Sequence, residues 1–173
     1  MNNKRQHIWG FTLVELLVVI AILGILMAMM VPAAGLIVKR AKISGTQGDA
    51  MLVATSLMRY QAEYNRWPST YPNRYTTDDD WVGMMAPRPG VSVPANPKRI
   101  IFFEPGGGAL DDRGYFVDGW GNPFRFRLDT TGREEVDNPD EDAGGTIAER
   151  AIAWSAGPDG DYGTWADNVK SWE

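Results

Sequence analysis

From Leu16 to Val38 the chain carries no charged side chain, and between Phe11 and Lys39 the only charge is Glu15. An uncharged apolar run longer than about 18 residues is the signature of a helix that crosses a bilayer. Upstream, residues 1–10 hold Lys4 and Arg5 and are otherwise polar up to Ile8-Trp9. Positive charge ahead of an apolar span keeps that end on the cytoplasmic side, so the body of the chain is expected outside the cytoplasm. Three readings compete for the segment. It is a secretory signal cut after the small residues Ala33-Ala34-Gly35, a plain single-span anchor, or a processing signal in Gly10-Phe11-Thr12-Leu13-Val14-Glu15-Leu16. Glu15 separates them. A carboxylate inside an apolar span costs roughly 2.5–3.5 kcal/mol at mid-span and less near an end. Neither a secretory signal nor a plain anchor gains from one, so Glu15 is a candidate functional residue whose partner has to be named.

The remaining composition removes most catalytic chemistry. Among 173 residues there is no cysteine, which excludes disulfides, thiolate metal sites and a cysteine nucleophile. The single histidine, His7, lies near the N-terminus, against a Ser-His-Asp triad or a multi-histidine metal centre. Lys plus Arg is 17 against 22 Asp plus Glu, a net charge of −5, which argues against a nucleic-acid partner. What survives is a non-catalytic protein, or an enzyme working with carboxylates alone. The candidates for the latter are Glu134, Glu135, Asp137, Asp140, Glu141 and Asp142, a run that reads as a solvated surface insertion.

Past Lys39-Arg40 the pattern turns amphipathic. Ile43, Gln47, Ala50, Met51, Ala54, Leu57, Met58 and Gln61 recur at three- and four-residue steps. One helix is expected from about Thr12 to about Tyr64, roughly 80 Å at 1.5 Å per residue. Asn65 and Pro68 supply its stop signals. Gly24, Pro32 and Gly35 interrupt its first half, and Pro32 is expected to kink it. Residues 66–98 are rich in proline and predict an irregular connection, of the kind that is functional or mobile. Within it Asp78-Asp79-Asp80 reads as a metal site, or as a turn or helix cap before Trp81. Strands are expected at 99–103, 114–117, 123–128 and 151–155. Phe124, Phe126 and Leu128 share one face of the third, with Arg125 and Arg127 on the other. The fold class is therefore α+β, a small antiparallel sheet whose apolar face is covered by the second half of the long helix.

The segment 154–169 carries the densest chemistry. Asp159, Asp161, Asp167 and Asn168 lie in a glycine-rich turn, and hard cations such as Ca²⁺ take six to eight oxygen ligands. It is no EF-hand, because the twelfth position counted from Asp159 holds Lys170 in place of Glu. The other reading is a metal-free turn held by Asx hydrogen bonds.

The stretch from Gly10 through Phe11-Thr12-Leu13-Val14-Glu15-Leu16-Leu17 resembles the type IV prepilin-like family without a gap. Two further stretches, Tyr60–Thr70 and Asp118-Gly119-Trp120-Gly121-Asn122-Pro123, resemble the major pseudopilin of type II secretion, as does the loop after Ser155. The resemblance implies a pilin-like fold. Residues 1–10 are a leader that a prepilin peptidase cuts between Gly10 and Phe11, after which Phe11 is N-methylated. Residues 11–38 are the membrane and filament-core helix. Residues 39–173 are a periplasmic domain: amphipathic helix to about 65, irregular connection 66–98, sheet and metal loop 99–173. It implies a non-enzymatic subunit that sits in the inner membrane and polymerises into a helical homopolymer with other pseudopilins on a secretion platform. The alternative is a type IV pilin or minor pseudopilin serving adhesion, motility or DNA uptake. For Glu15 the resemblance implies pairing with a neighbouring copy's Phe11 amine, which sets the register of each incoming subunit; the competing reading is a carboxylate that snorkels to the interface. For the loop it implies structural Ca²⁺ on Asp159 and Asp167, with carbonyls near Ala156 and Val169. Asn168 stands where the family often has an acid, and Asp161 fills a place in a shorter loop.

Mass spectrometry of the mature chain is expected to find an N-methylated Phe11 at the N-terminus. A start at Leu36 instead would identify an ordinary secretory signal.

Overall fold

The computed structural model describes residues 11–68 and 76–172, and leaves the side chains of 29–34 undescribed. The expected leader, with Gly10, and residues 69–75 of the expected connection lie outside the described residues. The chain divides into two compact units at Ala41/Lys42. Helix α1 (Leu13–Tyr64) belongs to both and runs through Gly24, Pro32 and Gly35 without a break. It stops where Asn65 takes a left-handed φ of 52°, a conformation Asn tolerates better than most residues.

In the first unit every described large apolar side chain from Phe11 to Val38 is exposed. Among the described residues no helix is long and apolar enough to cross a membrane.

The second unit is built on the face of α1 that starts at Thr46 and continues through Ala50, Val53, Leu57 and Tyr60, all buried. This line lies about one residue away from the expected stripe: Met51 is exposed, and Thr46, Val53 and Tyr60 take the central positions. The reason is polar. Tyr60 donates its hydroxyl to the Ala95 carbonyl at 2.6 Å, and Thr46 accepts from the Gly119 N–H at 3.3 Å. Hydroxyl-bearing residues with partners are at home in a core that an apolar count alone assigns elsewhere.

Short α2 (Asp79–Met85) is capped by Asp78, whose carboxylate accepts from the Trp81 N–H at 2.9 Å. The cap reading of the acidic triple is thus the one the structure bears out. Trp81 is fully buried against Phe103 and Phe126. Phe103, Phe116 and Phe124 continue the cluster with ring centroids 4.6 and 5.2 Å apart. Each such ring contributes about 1.5–3 kcal/mol by burial.

The sheet is smaller than expected. Strands β1 (Arg125–Leu128), β4 (Ala151–Ser155) and β5 (Val169–Lys170) pair antiparallel in the order β1-β4-β5. Strands β2 (Val136–Asp137) and β3 (Thr146–Ile147) form a separate hairpin around the acidic insertion. Residues 99–103 and 114–117 are not strands. Phe102 and Phe103 both send their N–H to the Met85 carbonyl at the end of α2, and Phe116 and Val117 make only isolated bridges. Their aromatic side chains are drawn into the core while the backbone follows no ladder. The connection before them is pinned: Asn96, fully buried, donates to the carbonyls of Met84 and Ile100 and accepts from the Tyr64 hydroxyl.

β1 alternates as expected, with Phe124 and Phe126 buried and Leu128 packed against the core. It leaves the sheet through a turn organised by Asp129, whose carboxylate accepts from the Thr131 N–H and hydroxyl and from the N–H groups of Gly132 and Glu134. Burial alone would raise its pKa; the Thr131 hydroxyl and the three backbone donors outweigh it and hold the group at about 2 against an ordinary 3.8. A depressed carboxylate stabilises the fold fully above its unfolded pKa, and that contribution is lost as pH falls through the folded one. Asp129→Asn is expected to be less stable than the wild type at neutral pH. The gap should close between about pH 4 and pH 2 in melts followed by circular dichroism.

Candidate functional site

The N-terminal site begins with a helix cap. Thr12 precedes the first helical residue, and its backbone N–H and hydroxyl donate to Glu15 Oε2 at 2.9 and 2.7 Å. The Glu15 N–H returns to the Thr12 hydroxyl at 3.2 Å. This is a reciprocal capping box, in which two otherwise orphaned helix-end donors are satisfied. Its sequence signal is Thr12-x-x-Glu15, three residues apart, set at the start of an apolar run. Phe11, beside the cap, is 78% exposed.

The C-terminal site is a loop between β4 and β5, closed by pairing of Ser155 with Val169. A single turn of 3₁₀ helix, Gly157–Asp159, opens it, and Gly160 in a left-handed conformation ends that turn. Asp159 and Asp161 stand on the exposed side. Asp159 accepts from the Asp161 N–H and Asp161 from the Gly163 N–H, each at 2.8 Å, so both act as Asx turns. Asp167 and Asn168 are different. Oδ1 of each is buried with no hydrogen-bond partner, while Asn168 Nδ2 donates to the Tyr162 carbonyl at 3.0 Å. Ala156 and Val169, expected to lend carbonyls, are buried at the two ends of the loop. Among the described residues no three acidic or histidine side chains gather as a metal cluster. The donor set on offer is thus mixed: two orphaned side-chain oxygens, exposed carboxylates nearby in sequence, and main-chain carbonyls. Oxygen-only donors of this kind suit a hard cation, and an unpaired buried carboxylate oxygen is costly without one.

Gly157 shows how tightly the loop is closed. Its φ is 68°, and a Cβ there would fall 2.2 Å from the Asp167 carbonyl oxygen. The opening of the loop is therefore pressed against the segment that holds the two orphaned oxygens.

The loop also roofs the sheet. Successive β4 residues face opposite ways: Ala151 and Ala153 join the core below α1, and Ile152 and Trp154 join a second cluster with Val136. Tyr162 and Trp165 from the loop and Trp172 from the tail cover that second cluster, with Trp154–Trp165 and Trp154–Trp172 centroids at 5.9 and 6.3 Å. Arg125 lies over the Tyr162 ring at 3.7 Å, and the Tyr162 hydroxyl donates to the Pro123 carbonyl. Burial pushes the Tyr162 hydroxyl up to about 12. No local pattern announces this second roof, because its aromatics sit in a stretch without periodicity.

The prokaryotic N-terminal methylation motif matches residues 10–31 of the chain. The type II secretion system core protein G of Pseudomonas aeruginosa is 30% identical over 131 residues, 73% of this chain and 76% of that protein. The protein of the same name from Aeromonas hydrophila is 26% identical over 177 residues, covering 100% of both. No solved structure matches.

Proposed function

We infer the function from a plain premise: the chain belongs to the type II secretion system core protein G family. It is a pseudopilin subunit of a type II secretion system, and its work is structural. The observation that carries this reading is the first unit: an exposed apolar surface interrupted by one carboxylate, most of it within the methylation motif. A contiguous apolar surface of that extent has to be covered by lipid or by protein. The names of the relatives favour secretion over adhesion, motility or DNA uptake.

In this reading prepilin peptidase cuts between Gly10 and Phe11 at the cytoplasmic face, and the new amine is methylated. The uncharged run from Leu16 to Val38 then holds the chain in the inner membrane, since its 23 residues span roughly 34 Å against a hydrocarbon core of about 30 Å. The domain from residue 39 onward lies in the periplasm. On the secretion platform each subunit exchanges lipid for neighbouring copies and other pseudopilins, and the growing filament pushes cargo outward. Glu15 directs the exchange. The Thr12 cap gives its carboxylate partners before assembly, and a neighbouring copy's Phe11 amine supplies the opposite charge within the filament. That pairing has a strong distance dependence in a low-dielectric bundle, which is what fixes axial register.

Calcium is the proposed structural cofactor of the C-terminal loop. Asp167 and Asn168 would hold it through their orphaned oxygens, with Asp159, Asp161 and carbonyls of Ala156 and Val169 completing the shell. Bound there, it supplies the charge that makes burial of the Asp167 oxygen favourable. A cation that binds only the folded loop stabilises the domain by mass action, the role a disulfide would serve in a chain that had cysteines.

Glu15→Gln separates charge from cap, because Gln also fills the third position of a capping box. The variant is expected to be processed normally and to fail in filament assembly, scored by cross-linking and microscopy. Wild-type filaments from it would remove the charge-pairing role. Chelation with EDTA is expected to lower the melting temperature of the purified chain, and Asp167→Ala should abolish the difference between melts with and without calcium. Identical wild-type melts in both conditions would discard the cation.

A further inference from the structure

The turn 118–122 and the cation loop are joined by a buried polar relay. Asp118 is 5% exposed, yet its carboxylate accepts four hydrogen bonds. Oδ1 takes the N–H groups of Trp120 and Asn122, each at 2.8 Å. Oδ2 takes the Asn122 side-chain amide at 3.2 Å and the hydroxyl of fully buried Ser155. Both of these partners then continue to one residue. The Ser155 Oγ accepts the Gly157 N–H, and the Asn122 Nδ2 donates to the Gly157 carbonyl, both at 2.9 Å.

Gly157 is thus held at both of its backbone polar groups by two side chains that share one carboxylate. On its other side it touches the Asp167 carbonyl so closely that no Cβ fits. Asp167 and Asn168, the next residue, carry the two orphaned oxygens. A turn that only needed to reverse the chain would be served by the two Oδ1 bonds. The two Oδ2 branches reach outside it, to the strand end and the loop.

We propose that Asp118 is a positioning residue for the cation loop: through Ser155 and Asn122 it clamps Gly157, and Gly157 sets the backbone that presents the Asp167 and Asn168 oxygens. The proposal rests on the cation reading given above. It deepens that reading by assigning the preorganisation of the loop to residues that touch no cation themselves. A loop fixed before binding loses less conformational freedom when the cation arrives, so the clamp acts on affinity. The base of the same turn is anchored on α1, where Lys42 donates to the Gly119 carbonyl at 2.8 Å and lies over the Trp120 ring. The clamp therefore has a rigid support in the helix.

The test uses the full mature chain in detergent, stripped with EDTA and titrated with calcium chloride. The dissociation constant is read from tryptophan emission, since Trp165 sits in the loop and packs on Trp154. Each protein is also melted in EDTA. Loss of a buried hydrogen bond worth about 1 kcal/mol is expected to weaken calcium binding about fivefold in Ser155→Ala, and Asp118→Asn, which disturbs both branches, by about tenfold or more. Should Asp118→Asn not fold, Ser155→Ala carries the test, because it removes one hydroxyl and leaves the turn intact. Variants that melt lower in EDTA but bind calcium with the wild-type constant would overturn the clamp and leave the cation site standing. A wild-type chain that shows no saturable calcium transition would overturn the cation reading, and the clamp with it.

Discussion

β4 is the constraint on which the second unit depends. All five of its residues are buried, so both faces of a very small sheet must be kept from water. α1 and the aromatic cluster around Trp81 and Phe103 cover one face. A loop with almost no regular structure covers the other. Covers of that kind gain little from their own backbone hydrogen bonding, and their stability has to come from what they touch. Tyr162, Trp165 and Trp172 answer part of that need by burial, and the relay from Asp118 answers another part by fixing where the loop begins. The orphaned oxygens of Asp167 and Asn168 mark the part that protein atoms leave unanswered.

The two ends of the chain treat a carboxylate in an unfavourable place in opposite ways. Glu15 sits among exposed apolar residues but has its Oε2 held by the N–H and hydroxyl of Thr12, within its own first turn. Asp167 sits in a polar loop but has an oxygen with no partner at all. The first has donors within reach of its own backbone. The second is costly as it stands, because a buried acceptor without a partner has lost its water for nothing.

Much of this was legible in the residue order. The bounds of α1, the stop at Asn65, the alternation along β1 and the Asp78 cap all follow from periodicity and turn chemistry, which act over a few residues. The misses have a common cause. Phe102 and Phe103 look like a strand because aromatics favour strands, but the Met85 carbonyl takes both of their N–H groups. Thr46 and Tyr60 fall outside an apolar stripe because their polar tips hide a core position. The Asp118 relay spans 37 residues to Ser155, and Asp118-Gly119-Trp120-Gly121-Asn122 reads equally well as a plain turn. Long-range polar contacts leave no local pattern, so only the fold reveals them. The family resemblance puts Asp159 and Asp167 first among the loop carboxylates, whereas burial singles out Asp167 and Asn168 over Asp159 and Asp161.

The Thr12 cap has one more consequence. A capping residue is non-helical by construction, so the cap draws a fixed line between helix and extended chain at Leu13. Phe11, 78% exposed, therefore precedes the rod and forms no part of its first turn, so it can change conformation without unwinding it.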